Sequence, residues 1–258
     1  MRRLREWAIE KFEIPQRTVL NRKVPKKTFF SQGDLSKKEK ELFTSQIEGI
    51  YLLSVMNRQS MNISPYQSEE HHYAEVVWIY VQFRTNEHVT RIIQAIHKSI
   101  PNPVVLITES HEQEWLLSTC HKRLNKNDPT KVVMDEPLLT GWFHPNSTIS
   151  SYQRLLNALK CSNQSFVNFY KFYDDLNRWI QCSPIIEWIE SFPTESEKRD
   201  LIISRVTDIY GKKSHLEELK QKQNQVLDFG TKMELHLEMK QIEVKIQSLI
   251  SELKELCN

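Results

Sequence analysis

The sequence predicts an α+β protein, with a mixed sheet of four to five strands and flanking helices, followed by a helical segment that ends in a coiled-coil-like helical hairpin. Residues 74–83 and 104–107 form two almost unbroken runs of apolar, β-branched and aromatic side chains. Such runs are typical of strands that are covered on both faces. Beyond residue 149 the apolar residues follow helical spacing instead, which predicts the helical segment.

The chain is long for one compact unit, since it has 258 residues with 39% hydrophobic and 26% charged side chains. We predict an α/β domain with a basic N-terminal segment at 1–148 and a helical segment at 149–193. Long helices at 194–258 are predicted to form a helical hairpin or a coiled coil. No apolar run approaches the roughly 20 residues of a membrane-spanning helix, so we expect a cytoplasmic protein with no membrane partner.

The α/β domain is predicted to begin with helices. A short amphipathic pattern predicts a helix over 2–12, and the composition of residues 16–27 is typical of a polar connection. An apolar stripe through residues 42–50 predicts a helix that Asp34 or Ser36 can cap, and the sequence leaves its C-terminal end open. Strand-like residues 51–56 and a polar loop over 57–72 then lead to the central strand.

The sheet is predicted to continue through a helix and further strands. A helix over 86–100 connects the two core strands, because Asn86 can cap it and the following prolines stop it. A strand over 115–121 predicts an antiparallel hairpin with the second core strand. Apolar runs at 131–134 and 139–143 complete the predicted sheet.

Positive charge is concentrated at the front of the chain. Residues 1–40 hold twelve Lys and Arg against five Asp and Glu, a surplus of +7 in a chain with a net charge of +2. Cations in the polar segment could follow a phosphate backbone or meet an acidic partner surface, or the segment is a solvated connection that happens to be basic. The candidate contact residues are Arg17, Arg22, Lys23, Lys26 and Lys27.

The C-terminal helices carry the clearest periodic signal. Apolar residues over 235–256 alternate spacings of four and three, which is typical of a coiled coil. The preceding helix loses this phase at Gly230, so a C-cap at Gly230 and an N-cap at Thr231 favour an antiparallel hairpin over a continuous helix. The stripe could pair with this chain's own helices, with a second copy as a homodimer, or with a different protein. Its members are Leu235, Met239, Ile242, Ile246, Leu249, Leu253 and Leu256.

Established catalytic motifs are missing from the sequence. There is no G-x-S-x-G, G-x-x-x-x-G-K or H-E-x-x-H pattern, so we assign no catalytic residue and favour a non-enzymatic role. His71 and His72 are adjacent on a predicted extended segment and would point to opposite faces. The scattered Cys120, Cys161, Cys182 and Cys257 favour reduced thiols, so we predict neither a metal nor a cofactor.

The alternative function is a metal-dependent nuclease on the mixed sheet. Such enzymes gather carboxylates and a lysine at strand ends, so that hard cations can activate water and bind the scissile phosphate. No Glu-x-Lys pair follows a buried strand, which leaves this pattern incomplete. The available side chains are Glu75, Glu109, Glu112, Glu114, Lys122 and Lys131.

The order of several short motifs resembles a bacterial family described only as a domain of unknown function. The motifs are residues 24–27, the helix 35–50 with its end at 46–50, the strand–helix–strand ending at 99–101, the Trp115 strand, residues 140–142 and the helical tail 219–238. Members of that family are often encoded beside a helicase and a DNA methyltransferase in restriction-like antiviral clusters. The resemblance implies a defence-associated role in DNA processing and supplies no catalytic residues.

We therefore expect a non-catalytic accessory or adaptor subunit. Its α/β module and C-terminal helices would dock a helicase, nuclease or methyltransferase of the same system. Its basic N-terminus would contact DNA or an acidic surface of that partner.

Overall fold

A mixed sheet of six strands forms the centre of the first part of the chain. The computed structural model describes residues 2–128 and 132–257, and it leaves the side chains of Arg2 and Arg3 undescribed. The chain divides into two units, Met1–Ser183 and Pro184–Asn258. The strands are β1 (Val19–Lys23), β2 (Ile47–Asn57), β3 (Tyr66–Gln67), β4 (His72–Tyr73), β5 (Glu75–Phe83), β6 (Val104–Glu109), β7 (Trp115–Thr119), β8 (Lys122–Leu124), β9 (Val132–Met134) and β10 (Leu138–Leu139). The helices are α1 (Arg2–Lys11), α2 (Lys26–Gln32), α3 (Lys37–Gln46), α4 (Arg58–Met61), α5 (Val89–Ser99), α6 (Ser150–Ala158), α7 (Phe169–Cys182), α8 (Ile185–Ile189), α9 (Arg199–Gln225) and α10 (Phe229–Cys257).

The central sheet has the strand order β1-β2-β5-β6-β7-β10. β5 and β6 are parallel and are joined by α5, whereas the other neighbouring pairs in this sheet are antiparallel. Two small sheets, β3–β4 and β8–β9, lie outside it. The predicted α+β class is confirmed, with a mixed sheet, flanking helices and long C-terminal helices.

The sheet contains a strand that the sequence did not predict. β1 lies within residues 16–27, which were predicted to be a polar connection, and it pairs with β2 at one edge of the sheet. Arg22 and Lys23 lie opposite Leu52 and Tyr51, and the Val24 amide donates to the Ile50 carbonyl at 2.8 Å. This strand is held by backbone pairing with β2, and side-chain periodicity does not reveal such pairing.

Two other boundaries differ from the prediction. α3 ends at Gln46 and β2 begins at Ile47, so Ile47 and Ile50, which were assigned to the apolar stripe of this helix, lie in β2. The predicted strand over 131–134 appears as β9, which pairs with β8 and not with the central sheet. Residue 131 itself lies outside the described residues.

Alternate side chains of β5 contribute to two separate cores. The odd-numbered positions 77–81 face a cluster that contains residues of α2, α3 and α5. Trp78 lies on the opposite face, where Phe12, directly after α1, has its ring centroid 5.4 Å from that of Trp78 and 5.9 Å from that of Trp115. Each such buried ring contributes about 1.5–3 kcal/mol, so this contact holds α1 against the face that also carries Gln82.

The second unit contains the predicted antiparallel helical hairpin. Three cross-helix pairs fix the direction: Arg205 Nε lies 2.7 Å from Glu252 Oε2, His215 Nε2 lies 3.4 Å from Glu238 Oε1, and Gln223 Nε2 donates to the Lys232 carbonyl at 3.0 Å. The break lies before Gly230, since α9 ends at Gln225 and α10 begins at Phe229. Among the described residues, no helix is both long and apolar enough to span a bilayer.

The position of the break follows from a side-chain cap. The Asp228 carboxylate accepts hydrogen bonds from the Thr231 amide at 2.7 Å and from the Thr231 hydroxyl at 2.8 Å. Asp228 therefore satisfies the free amides at the start of α10, the role predicted for Thr231. Gly230 lies inside the first turn of α10 and does not end α9.

Candidate functional site

A cleft of about 340 Å³ lies where the parallel strands β5 and β6 end. The carboxyl ends of neighbouring parallel strands, where the chain departs to either side, are the usual position of a binding crevice in a sheet. We call it the β5–β6 cleft. Its lining residues are Leu4, Glu48, Gln82, Phe83, Arg84, Glu109, Ser110, His111 and Gln113.

Glu109 and Gln82 form the floor of the cleft. They are directly opposite each other on β6 and β5, and only 5% and 4% of their surfaces are exposed. Gln82 Nε2 donates to Glu109 Oε2 at 2.8 Å, and in the described part of the chain Glu109 forms no ion pair. Burial, and after it the charge of Glu109, raise the pKa of the Tyr80 phenol on the same face of β5. The floor therefore holds a buried carboxylate that has the Gln82 amide and the Tyr80 phenol as neighbours.

Glu48 enters the cleft from a β-bulge in β2. The register shifts between Ile47, which pairs with Phe83, and Gly49, which pairs with Gln82, so Glu48 is the extra residue. Bulges of this kind redirect a side chain and are frequent beside active sites. A Cβ at Gly49 would lie 2.8 Å from the Tyr51 ring, so a larger residue there would displace that ring. The bulge brings an exposed second carboxylate to the cleft.

Arg84 and Lys26 place positive charge beside the cleft. Arg84 Nη1 donates to the Thr44 carbonyl at 3.1 Å, and Lys26 Nζ donates to the Ile47 carbonyl at 2.5 Å, so both cations cap the C-terminal end of α3. Burial, and then repulsion from Arg84 and Lys23, lower the pKa of Lys26. Arg84 also lines the cleft, and its remaining N–H groups are available to a ligand there.

The predicted basic residues are therefore divided between two roles. Arg17, Arg22, Lys23 and Lys27 are exposed, as a contact surface for an anionic partner requires. Lys26 is half-buried and bonded to α3, so its role is structural. Sequence reasoning missed Arg84, which follows a buried strand as a single cation.

The predicted coiled-coil stripe lies inside the second unit. Met239, Ile242, Ile246 and Leu253 are buried, and α10 packs on α9 and α8. Leu235, Leu249 and Leu256 are half-buried. Of the pairings left open by the sequence, the structure shows the one with this chain's own helices. We call the four buried residues the seam of α10.

The opposite side of α10 carries a second apolar stripe that the sequence analysis missed. With about 100° of rotation per residue, Phe229, Met233, Leu237 and Val244 fall within about 80° of one another and roughly opposite the seam. Phe229, Leu237 and Val244 are 75%, 57% and 69% exposed, and Met233 is exposed as well. We call these four residues the outer face of α10. These residues are spaced by four, four and seven positions in the sequence. That pattern is weaker than the spacing of the seam residues on the same helix.

Of the described carboxylates named for a nuclease site, only Glu109 lines the β5–β6 cleft. Glu109 is in the cleft, but Glu75 begins β5 at the other end of the strand and accepts from Asn102 Nδ2 at 2.6 Å. Glu112 is exposed, and Glu114 lies 3.8 Å from His144. Lys131 lies outside the described residues. Within the described ranges, no group of three or more His, Cys, Asp or Glu side chains is arranged to hold a metal ion.

Lys122 has a structural environment away from the cleft. Its Nζ donates to the carbonyls of Ile100, directly after α5, and of Asn102, the latter at 2.7 Å. Burial lowers the pKa of Lys122 to about 7. Lys122 therefore stabilises the turn between α5 and β6 through these hydrogen bonds, and it does not form an ion pair with Glu109.

A partly buried polar network joins β4, the segment after β7, and α7. The Tyr73 hydroxyl lies 2.8 Å from His121 Nδ1, and His121 Nε2 lies 3.2 Å from Asp174 Oδ1. The Lys122 amide donates to the Tyr73 hydroxyl at 3.1 Å. Both nitrogens of His121 are thus engaged, and the network serves packing. His71 bonds the Lys122 carbonyl at 3.0 Å, so His71 has a structural contact as well.

Asp174 should make stability depend on acidic pH. Burial raises the pKa of Asp174, but the hydrogen bond from His121 and the charges of His121, Arg178 and Lys171 outweigh it and hold the pKa below 3.8. Because the folded pKa is below the unfolded one, the contribution is complete above about pH 4 and is lost as the pH falls through the folded pKa. In urea unfolding, the stability advantage of wild type over Asp174→Asn should shrink below about pH 4. An advantage that stays constant from about pH 5 to about pH 2.5 would contradict this.

Together, the sheet, the β5–β6 cleft and the helical hairpin define an α+β protein with a carboxylate-lined crevice and a separate helical unit. Residues 12–246 match the family described as Domain of unknown function (DUF4391), and the chain belongs to that family. The predicted membership in a family of unknown function is confirmed. No curated protein and no solved structure matches the chain.

Proposed function

We propose that this protein is a non-catalytic accessory subunit of a bacterial restriction-like antiviral defence system. It docks a helicase, nuclease or methyltransferase of the same system through its helical hairpin. The choice of system rests on the resemblance to a family encoded beside helicases and DNA methyltransferases.

The observation that carries the docking role is the outer face of α10. A surface helix of a folded protein is normally apolar on one side and polar on the other. α10 has the seam on one side and the exposed outer face on the other, and Leu227 in the preceding turn is 96% exposed. Exposed apolar residues grouped on one side of a helix are a common feature of protein interaction sites. A partner helix laid along the outer face would bury its four side chains at helical spacing.

The basic front of the chain supports a second, electrostatic contact. Arg17, Arg22, Lys23 and Lys27 are exposed within the first 40 residues, which carry a surplus of +7. Cations on a surface attract a phosphate backbone or an acidic protein surface and speed association with it. The hairpin would then select the partner, while the front contacts DNA or the acidic surface of that partner.

Charge on the outer face should abolish docking. The chain is co-expressed with the products of its neighbouring genes, purified through a tag on this chain, and passed over a sizing column at physiological salt. Wild type should elute with one of these proteins, and Leu237→Glu should elute alone, because docking would bury its carboxylate without a partner. Gln241→Glu adds the same charge at an exposed position of α10 outside the outer face, and it should behave as wild type.

Three results would contradict the proposal. Wild type could elute alone in the presence of its neighbours, or it could form only a homodimer. Leu237→Glu could also retain the partner as well as Gln241→Glu does. In this last case the complex would still form, but the outer face of α10 would not be part of its interface.

A further inference from the structure

We propose that a crevice between the end of α5 and the strands β8 and β9 binds a small molecule with a carboxylate or phosphate head group. That head group accepts hydrogen bonds from Lys122 Nζ and His97 Nδ1. We call this space the α5–β8 crevice. It is separate from the docking surface on α10 and from the β5–β6 cleft, and it does not depend on the accessory role.

The α5–β8 crevice has the size and the walls of a small-molecule pocket. Its volume is about 550 Å³, and it lies within the first unit. Pockets for small molecules typically enclose about 300–1,000 Å³, with apolar walls and a few polar groups that orient the ligand. A short apolar body would contact the apolar side chains that line this crevice, which are Ile100, Pro101, Val132 and Met134.

Lys122 contributes a buried amine that lacks a counter-charge. Only 4% of its surface is exposed, and among the described residues it forms no ion pair. Its Nζ donates to the carbonyls of Ile100 and Asn102. An ammonium group has three N–H donors, so one of them remains for a ligand. Burying an ammonium group is unfavourable unless an opposite charge replaces part of its hydration, and an anion in the crevice would supply that charge.

His97 contributes an imidazole nitrogen that lacks a hydrogen-bond partner. The side chain lines the crevice and is fully buried, and its Nε2 lies 2.9 Å from Ser118 Oγ. In the described part of the chain, His97 Nδ1 has no hydrogen-bond partner. Buried polar atoms are nearly always bonded, so an unbonded one points to a group that binds there. Burial, and then the charge of Lys122, lower the pKa of His97, which shows that the two side chains are close enough to interact.

An oxyanion satisfies both side chains at once. The Ser118 hydroxyl can donate to His97 Nε2, which leaves the proton of the neutral imidazole on Nδ1 as a donor. Carboxylate and phosphate oxygens accept from such donors and also carry the charge that Lys122 lacks. The charged side chains at the crevice are Lys98 and Lys122 against Asp34, so a negative head group is favoured over a positive one.

Calorimetry of the full-length chain with three six-carbon probes tests the site. Hexanoate or hexyl phosphate should bind at one site, and the tighter of the two identifies the head group, while uncharged hexanol should not bind. Lys122→Met removes the ammonium group and should weaken binding at least about tenfold. Val132→Trp fills the crevice from its exposed wall and leaves Lys122 in place, and it should weaken binding as strongly. His97→Gln keeps a hydrogen-bonding group for Ser118 but none at the position of Nδ1, and it should bind about threefold more weakly or worse.

Lys171→Met is the matched control, because it removes an exposed lysine of α7 that does not line the crevice. It should bind as wild type. Failure of both anions to bind wild type, or equal binding of hexanol and hexanoate, would overturn the site. Equal losses in Lys171→Met and Lys122→Met would overturn it as well. If circular dichroism shows that Lys122→Met does not fold, full retention of binding in Val132→Trp and His97→Gln would overturn it.

The pH dependence of hexanoate binding separates the site from nonspecific association. Burial lowers the pKa of Lys122 to about 7, and the anion binds the protonated amine. The affinity should therefore fall about tenfold from about pH 6 to about pH 8, and this loss should be absent in Lys122→Met. His97 stays neutral over this range, and burial raises the pKa of the nearby Cys120 thiol to about 11. An affinity for wild type that stays constant from about pH 6 to about pH 8 would contradict the role of Lys122.

Discussion

Replacing Ile246 with aspartate should unfold the helical hairpin, whereas the same replacement at Val244 should leave it folded. Ile246 lies in the seam and is 7% exposed, while Val244 lies on the outer face and is 69% exposed. Ile246→Asp removes a buried apolar side chain and places an unpaired charge in its position, a combination that costs at least about 3 kcal/mol. Val244→Asp should change the free energy of unfolding by no more than about 0.5 kcal/mol.

Far-UV circular dichroism of the full-length chain during urea unfolding measures both variants. For Ile246→Asp, helical signal should be lost at lower urea than in wild type, while Val244→Asp should overlay wild type. Equal shifts in the two variants would mean that the two faces of α10 are not distinct. Val244→Asp is also useful for docking, because it should remain folded and still lose the partner protein.

Trp115→Ala should produce the second large effect, in the first unit. The Trp115 side chain is fully buried, and its ring centroid lies 5.5 Å from that of Trp7 and 5.9 Å from that of Phe12. Removing such a ring leaves a cavity and costs about 3–5 kcal/mol of unfolding free energy. Because Trp7 and Phe12 hold α1 on the sheet, the variant should also loosen the side of the β5–β6 cleft that α1 forms through Leu4.

The same urea titration followed by far-UV circular dichroism measures this loss. Leu20→Ala is the matched control, since it shortens a side chain of β1 that is 41% exposed, and it should cost less than about 1 kcal/mol. If the two variants shift unfolding equally, the contact between α1 and Trp115 does not stabilise the first unit as described.

The parts of the fold that could be predicted are those whose side chains follow a local pattern. β5, α5 and β6 could be predicted because two runs of β-branched and aromatic residues lie on either side of a segment whose apolar residues follow helical spacing. The hairpin is visible because its seam repeats every three and four residues. β1 could not be predicted, since a polar edge strand is defined by backbone pairing with β2.

The candidate sites required information that is not local in the sequence. The cleft gathers Glu48, Gln82, Arg84 and Glu109 from two strand ends and one bulge. Their proximity depends on the antiparallel register of β2 and the parallel register of β6. The outer face of α10 was not predicted from the sequence for another reason. Lys240 interrupts its spacing, and the seam on the same helix gives a stronger signal.

The central claim is that the exposed apolar side of the last helix holds a larger protein of the same system. The most direct measurement is the elution of tagged wild type, Leu237→Glu and Gln241→Glu from a sizing column after co-expression with the products of the neighbouring genes. We expect one large partner to travel with wild type and with Gln241→Glu but not with Leu237→Glu. Wild type that elutes alone, or a partner retained equally by all three chains, would contradict it.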